Sequence, residues 1–299
     1  MAERPAAAPV AALVFNAFVW GLSWWPFREL QASGLHPLWS TALVYLFSLC
    51  CLLAARPRAL AGFARTPLLW LLAAAAGMTN VGFNWAVTVG DVVRVVLLFY
   101  LMPAWSVLLA WLVLGERPGA AAIVRLVLAL AGVGVVLGPA AGGFPWPSGV
   151  ADALALAGGF SFALTNVLLR RLNTIPAESR VLAMFGGGTV LAAGVAVAGM
   201  AQGTVSALPA PQWGWVLIGL LLSAAFLLGN LALQYGAARL PAHTTALVML
   251  SEVVFASLSS VALGAATLTP QVLGGGALIL AAAAWSAWPS AAQGPARAQ

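Results

Sequence analysis

Polar side chains recur at helical spacing within apolar stretches of this sequence. Asn80, Asn84 and Thr88 fall at i, i+4 and i+8, so they share one face of a helix. Such side chains in an apolar helix either hydrogen-bond to a neighbouring helix or line a water-accessible cavity. In a cavity they would bind the polar groups of a small solute. Both roles require burial, and the sequence alone does not distinguish between them.

Similar polar sets occur in the first, sixth and eighth apolar stretches of the chain. The aromatic residues Tyr100 and Trp105 lie away from the predicted helix ends, where they would surround the apolar part of a solute or pack against lipid. The candidate binding residues are Asn16, Trp20, Ser23, Asn80, Asn84, Tyr100, Trp105, Thr165, Asn166, Asn230, Gln234 and Glu252.

Glu252 is the one carboxylate predicted near the middle of an apolar stretch, where a charge costs about 2.5–3.5 kcal/mol on insertion scales. A desolvated carboxyl can stay neutral. Glu252 would therefore either take up and release a proton or bind an ammonium group. Alternatively, as a protonated acid, it would donate a hydrogen bond to a neighbouring helix. The sequence leaves these roles open.

Motifs of catalysis are missing from the sequence. It contains no G-x-S-x-G nucleophile motif and no paired acidic metal-binding motif. The two histidines, His36 and His243, have no partner cluster that would hold a metal. We therefore expect no enzyme, no catalytic residues, no cofactor and no metal.

The elements that must position the candidate residues are membrane-spanning helices. Hydrophobic residues make up 63% of the chain, charged residues make up 7%, and the mean hydropathy is +1.00. About a quarter of a soluble domain is charged, so this composition does not suit a water-exposed surface. A bilayer core requires about 20 apolar residues per helix. This length predicts an all-α membrane protein with ten spans at about 9–27, 37–55, 67–89, 92–114, 119–138, 148–170, 180–201, 212–235, 241–264 and 270–288.

Arginines orient these spans. The sequence contains no lysine, and its net charge of +6 is distributed between apolar segments rather than in a nucleic-acid-binding patch. With a cytoplasmic N-terminus, the outer side carries only Arg28 and Arg94, and Arg125 lies one turn inside the fifth span. The inner side then carries Arg4, Arg56, Arg58, Arg65, Arg117, Arg170, Arg171, Arg180, Arg239 and Arg297. This asymmetry predicts that both termini are cytoplasmic. Asp91 and Arg94 are predicted to form an ion pair at the outer rim.

The second half of the chain repeats the first half weakly. In the fourth and ninth spans, Gly115 falls on Gly264 and Pro103 falls on Glu252. Asn84-Trp85-Ala86 has a counterpart in Asn230-Leu231-Ala232. Five spans per half is an odd number, so the two copies would enter the membrane in opposite directions. We therefore expect two five-helix repeats, 1–147 and 148–299, around a central cavity. Pro103 is predicted to interrupt the fourth span.

The ten-span arrangement, together with Leu-Met-Pro-Ala-Trp and Leu-Gly-Glu-Arg-Pro in the fourth span, resembles the drug/metabolite transporter superfamily. Within it, the chain looks most like EamA-like proteins, and among these like YddG-type exporters of aromatic amino acids. The resemblance implies a multi-pass protein of the bacterial inner membrane. It would export small amphipathic metabolites, amino acids foremost, by alternating access. Protons are a candidate coupling ion, the protein would be a monomer or weak dimer, and nucleic acid is not an expected partner.

Other functions remain open. A multidrug or organic-cation exporter would use Glu252 and the aromatic residues, and a passive channel is a further alternative. Carriage of sugar phosphates would need fixed cations in the cavity, which the arginines at the span ends do not supply.

Overall fold

The computed structural model describes residues 7–63, 66–115, 119–137, 147, 149–172, 174–237, 239–240 and 248–287, and within these ranges every regular element is helical. The first half contains α1 Ala7–Leu22, α2 Trp24–Ala32, α3 Pro37–Ala55, α4 Pro67–Val89, α5 Val92–Phe99, α6 Met102–Leu114 and α7 Ala120–Leu137, with a 3-10 helix at Pro57–Gly62. The second half contains α8 Val150–Arg171, α9 Ala177–Ala201, α10 Trp213–Ala237, α11 Ser251–Ala262 and α12 Pro270–Ala287.

The described helices agree closely with the segments predicted from hydropathy, and residues 241–247 of the ninth predicted span lie outside the described part of the structure. Among the described residues, six segments are long and apolar enough to cross a membrane, and three shorter helices are also apolar. Helix α4 is not among the six, although it has 23 residues, because Asn80 and Asn84 lower its hydropathy. The described part of the protein is therefore all-helical, with several segments that are able to cross a membrane, whereas the count of ten spans stays a prediction.

Three of the predicted spans contain a break in the helix, and the break in the ninth span lies at Leu250, directly before α11. The first span is broken at Ser23, between α1 and α2. The fourth is broken at Tyr100 and Leu101, between α5 and α6, one turn before the predicted interruption at Pro103. The reason is that proline has no N–H, so it cannot donate the helical hydrogen bond to the carbonyl of Phe99.

The helices pack through close backbone contacts. Helix α4 contacts α8 and α9, α10 contacts α1 and α3, α3 contacts α9, and α7 pairs with α12. A β-carbon at Gly132 would lie 2.8 Å from the carbonyl oxygen of Gly275, and one at Gly275 would lie 2.7 Å from that of Gly132. Glycine allows the backbones of α7 and α12 to approach this closely, as small residues commonly do in membrane helix pairs.

The end of the bundle that carries Arg28 and Arg94 is called the outer end, after its predicted position. Here every residue of α5 except Arg94 is buried, and α5 forms the middle of the largest apolar cluster. Arg28 donates to the carbonyl oxygens of Val87 and Gly90, at the C-terminus of α4. Partial burial lowers the pKa of His36, which caps α3 by accepting the Leu38 N–H. These contacts close the outer end.

Arg94 has a different acidic partner from the one predicted. Its guanidinium forms a two-pronged salt bridge with Asp152 of α8, with both N–O distances at 2.8 Å. Asp91 instead accepts the backbone N–H groups of Arg94 and Thr267. The prediction of an Asp91–Arg94 ion pair is therefore wrong, because Asp91 is positioned as the N-cap of α5 and its carboxylate is occupied by backbone groups.

Candidate functional site

A cavity of about 390 Å³ lies in the centre of the helix bundle. This volume is within the usual range for small-molecule sites. Its walls come from both halves of the chain. The first half contributes residues of α1, α3, α4 and the region around the α5–α6 break. The second half contributes residues of α8, α9, α10 and the start of α11, and one residue of α12.

Eight of the twelve predicted binding residues line this cavity: Asn16, Trp20, Asn80, Tyr100, Thr165, Asn166, Asn230 and Glu252. Helical spacing selected those in four of the predicted spans, whereas Tyr100 was selected as an aromatic residue away from the span ends and Glu252 as a carboxylate near the middle of a span. The structure thus brings together residues that are more than 200 positions apart. Whether they bind a solute stays a prediction.

Three of the predicted residues lie outside the cavity lining. Asn84 is fully buried and donates to Thr41 Oγ1 at 3.2 Å, which makes it a contact between α4 and α3. Ser23 donates to the carbonyl of Trp20 at 2.8 Å, within the break of the first span. Trp105 packs edge-on against Phe160 with ring centroids 5.6 Å apart. The side chain of Gln234 lies outside the described part of the structure. Four of the arginines on which the predicted membrane orientation depends also lie outside it: Arg4, Arg65, Arg117 and Arg297.

Two polar side chains of the lining are buried without a hydrogen-bond partner among the described residues. Both polar atoms of the Asn16 amide, which is 0% exposed, and the hydroxyl of Thr165, which is 1% exposed, are unpaired. A buried polar group without a partner costs about 1–3 kcal/mol. A solute in the cavity would supply the missing partners.

Asn80 is held in a fixed orientation by a residue that the sequence analysis did not select. The hydroxyl of Tyr45 donates to Asn80 Oδ1 at 2.8 Å, and both residues are buried. Because the Asn80 oxygen accepts from Tyr45, the NH₂ group is the part of the amide that is able to donate hydrogen bonds elsewhere. Tyr45 is the only tyrosine in the sequence of the second predicted span, and a phenol hydroxyl in an apolar segment is the signal that would have identified it.

Aromatic rings form a large part of the remaining wall. Trp20 stacks on Phe226 with centroids 4.5 Å apart, and Phe83 meets Phe99 edge-on at 4.9 Å. Phe162 packs against Phe99 at 5.6 Å. Such rings offer a large apolar surface with few rotatable bonds. Phe99, Phe162 and Phe226 were not predicted, because an apolar residue in an apolar helix carries no pattern that separates a cavity wall from a lipid contact.

Glu252 is the only acidic or basic residue that lines the cavity within the described part of the chain. It is 9% exposed and lies in the first turn of α11. Its Oε2 atom is 3.1 Å from the hydroxyl of Tyr100, which follows α5. The helix breaks of the two halves therefore meet at this pair.

The cavity is asymmetric along the bundle axis. Its lining extends to Asn166, which is exposed, to Val181 near the start of α9, and to Leu233 near the end of α10. These three residues lie towards the end that carries Arg170 and Arg171. No described residue of α2 contributes to the lining. The cavity thus opens away from the outer end, which is closed by the packing around α5.

An all-helical bundle with apolar outer faces and a central, partly polar cavity defines the class of helical membrane proteins with an internal cavity. Residues 8–138 match the model of the EamA-like transporter family, somewhat less than half of the chain. Over this stretch the chain is similar to a family of membrane transporters of small molecules. The match supports the resemblance to the drug/metabolite transporter superfamily.

A solved structure, titled only "Crystal structure of protein", has a similar fold. Its TM-score is 0.56 at 20% identity, and the alignment covers 94% of this chain and 96% of that one. At this identity the likeness concerns the fold alone. No curated protein matches the sequence.

Proposed function

We propose that the protein is a secondary transporter that exports small amphipathic metabolites, amino acids foremost, across the bacterial inner membrane by alternating access. The observation that supports this most strongly is a cavity in the middle of the bundle with the unpaired polar groups of Asn16 and Thr165 in an aromatic wall. A structural cavity would be expected to satisfy its own polar groups.

The chemistry of the lining favours an ammonium-bearing solute with an apolar body. Glu252 would bind the ammonium group, the rings of Trp20 and Phe226 would contact the apolar part, and amides such as that of Asn16 would bind a carboxylate. The lining has no basic residue among the described positions, so an anionic phosphate ester would lack a counter-charge. A single acidic residue among aromatic rings also suits an organic cation, which is the second candidate substrate class.

Two five-helix repeats, 1–147 and 148–299, would supply the two halves of the alternating-access mechanism. The observed contacts keep the same pattern when each predicted span is exchanged with the one five positions away: α4 contacts α8 and α9, and its counterpart α10 contacts α1 and α3. The family match over residues 8–138 nearly coincides with the first proposed repeat.

The half-helices α6 and α11 give further support to the duplication. Each begins directly after a helix break, and each is followed by a glycine with positive φ, 72° at Gly115 and 67° at Gly264. These are the glycines that the sequence comparison aligned.

The proposed topology predicts which loops a membrane-impermeant thiol reagent reaches. In a variant with Cys50 and Cys51 replaced by serine, a cysteine at Ser33, between α2 and α3, should be labelled from outside intact cells. A cysteine at Thr174, between α8 and α9, should be labelled only after the cells are opened. Both positions are exposed. Labelling of both from the same side would contradict ten spans with cytoplasmic termini.

Asn16 provides the test of the proposed site. We expect Asn16→Leu, which keeps the size of the side chain, to raise the Tm in detergent because it removes an unsatisfied buried amide. The same variant should lose substrate affinity by roughly tenfold or more, since a hydrogen bond to the solute is worth about 0.5–1.5 kcal/mol and the amide offers two. The measurements are thermal unfolding and counterflow of labelled amino acids in proteoliposomes.

The matched control is Ser223→Ala. Ser223 is equally buried but donates to the carbonyl of Gly219 within its own helix and does not line the cavity. It should leave counterflow unchanged. A fall in Tm for Asn16→Leu with unchanged counterflow would assign Asn16 to helix packing and remove the main support for the site.

A further inference from the structure

The hydroxyl of Tyr100 lies between two acceptors. It is 3.1 Å from Glu252 Oε2 and 3.2 Å from the backbone carbonyl oxygen of Met249. A phenol has one hydrogen to donate, and a carbonyl oxygen can only accept. Both contacts are full, unshared hydrogen bonds when the Glu252 carboxyl is protonated and donates to the phenol oxygen while the phenol donates to Met249. The geometry of this state therefore suits a protonated Glu252.

Removal of that proton changes the hydrogen bonds of both helix breaks. An ionised Glu252 accepts but does not donate, and a carboxylate accepts more strongly than a backbone carbonyl. The Tyr100 hydroxyl then turns from Met249 to Glu252. The contact between the α5–α6 break and the backbone just before α11 is thus made in one protonation state and lost in the other.

Among the residues that the structure describes, none offers Glu252 a fixed counter-charge. Helix α11 packs against α1 and α5. Helix α1 has no titratable side chain, and the single charged residue of α5, Arg94, is bound to Asp152 at the outer end. On the far side of Tyr100 lies Arg125 of α7, which borders a small void with it and donates to the carbonyl of Trp285. Tyr45, across the cavity, is bound to Asn80.

We propose, building on the proposed transport function, that Glu252 is the proton-exchange site of the transporter. In the empty cavity the carboxyl is protonated. When a solute with an ammonium group enters, the O–H bond of Glu252 breaks, the proton leaves to water on the side to which the cavity is open, and the carboxylate pairs with the ammonium group. Release of the solute on the other side is followed by binding of a proton from that side. One proton enters for each solute that leaves.

The absence of a fixed counter-charge gives the coupling rule. A bare carboxylate in an apolar bundle is strongly disfavoured, so the empty, ionised state does not reorient. The bundle changes its open side only with a proton or an ammonium group on Glu252. Without this rule the proton gradient would dissipate through the empty transporter.

The charge balance separates the two substrate classes. Exchange of one proton for phenylalanine, a zwitterion of zero net charge, moves one positive charge inward. Exchange of one proton for the phenethylammonium cation moves none. These two solutes share the same aromatic group, so they form a matched pair of probes.

The test uses the purified full-length chain in detergent and in liposomes. Mixing wild-type protein with phenylalanine or phenethylamine in weakly buffered solution should release about one proton per bound solute, read by a pH indicator dye. Binding should weaken about tenfold for each unit by which the pH falls below the midpoint of the release curve. In liposomes, an imposed membrane potential should change the rate for phenylalanine and not for phenethylamine.

Glu252→Gln should bind either solute at least tenfold more weakly, with no proton release and no pH dependence. Tyr100→Phe should still release one proton but with a different pH midpoint, because it removes the hydroxyl that exchanges acceptors. Glu29→Gln, at an exposed glutamate that accepts from Trp25, is the control and should behave as wild type.

Binding and counterflow by the wild type without proton release would overturn the proton site and leave the transport function standing. A pH dependence retained in Glu252→Gln would likewise overturn it. If neither phenylalanine, phenethylamine nor a wider amino acid panel is exchanged at any pH, the proposed transport function itself fails. The wild-type measurement decides these outcomes even if the Glu252 variant does not fold.

Discussion

Replacement of Arg94 with leucine is expected to destabilise the protein by about 3–5 kcal/mol, because it leaves a buried carboxylate without its charge partner. Asp152 is 4% exposed and is held by the Nε and Nη2 groups of Arg94. A third group, Nη1, donates at 2.7 Å to the carbonyl of Val136 near the C-terminus of α7. One guanidinium thus joins α5, α7 and α8.

The measurement is thermal or denaturant unfolding in detergent micelles. Arg94→Lys should recover only part of the loss, since an ammonium group cannot make the two-pronged contact and also reach α7. The double variant Arg94→Leu, Asp152→Leu should be clearly more stable than Arg94→Leu alone, because neither charge is left unpaired.

The control is Arg239→Leu, at an exposed arginine that stacks over Tyr235 with its guanidinium carbon 3.9 Å from the ring centre. It should change stability by about 1 kcal/mol or less. Equal losses at Arg94 and Arg239 would contradict a stabilising role that is specific to the pairing of Arg94 with Asp152.

Gly187→Ala should lower stability by about 3 kcal/mol or more, which corresponds to a fall in Tm of roughly 5–10 °C. A β-carbon at Gly187 would overlap the carbonyl oxygen of Ala73, and one at Gly77 would lie 2.5 Å from the carbonyl oxygen of Gly187. The clash is with backbone on both helices, so it is relieved only if α4 and α9 move apart.

The neighbouring glycine is a control with the same chemical change in the same helix. Gly186 has no atom within 4 Å of the position that a β-carbon would take. Gly186→Ala should leave the Tm unchanged or raise it slightly, since alanine favours the helix over glycine by about 1 kcal/mol. The difference between the two variants isolates the contact between α4 and α9. Equal Tm values would contradict this close approach.

The two helices separated by Gly187→Ala also carry part of the cavity wall. Asn80 lies one turn beyond Gly77 on α4, and Phe185 precedes Gly187 on α9. The tight contact therefore positions the Tyr45–Asn80 pair relative to the aromatic wall. A reduced affinity of Gly187→Ala for amino acids would follow from this geometry.

The helices themselves were predictable from the sequence, and so was much of the polar lining. Hydropathy defined each segment because a helix surrounded by lipid must be apolar over its whole length. Asn16, Asn80 and Glu252 were identified because polar groups are rare in such segments and are therefore conspicuous.

Partners across the bundle were not predictable from the sequence. Asn84 is the same residue type as Asn80 and lies on the same face of α4. It nevertheless contacts Thr41 of α3, whereas Asn80 lines the cavity. Arg94 was assigned to Asp91, three residues away, and instead binds Asp152. In both cases the sequence pattern gives the face of the helix, but not which helix that face meets.

The sequence by itself determined that the chain is helical and apolar, approximately where its apolar segments lie, and which side chains are costly to bury. These properties depend on local composition and on the bilayer thickness. Tertiary structure decided which buried polar groups find partners and which, like Asn16 and Thr165, are left facing a shared cavity. The physical reason is that hydrogen bonding between helices depends on their relative rotation and spacing, which close contacts such as that of Gly187 with Ala73 fix only in the folded bundle.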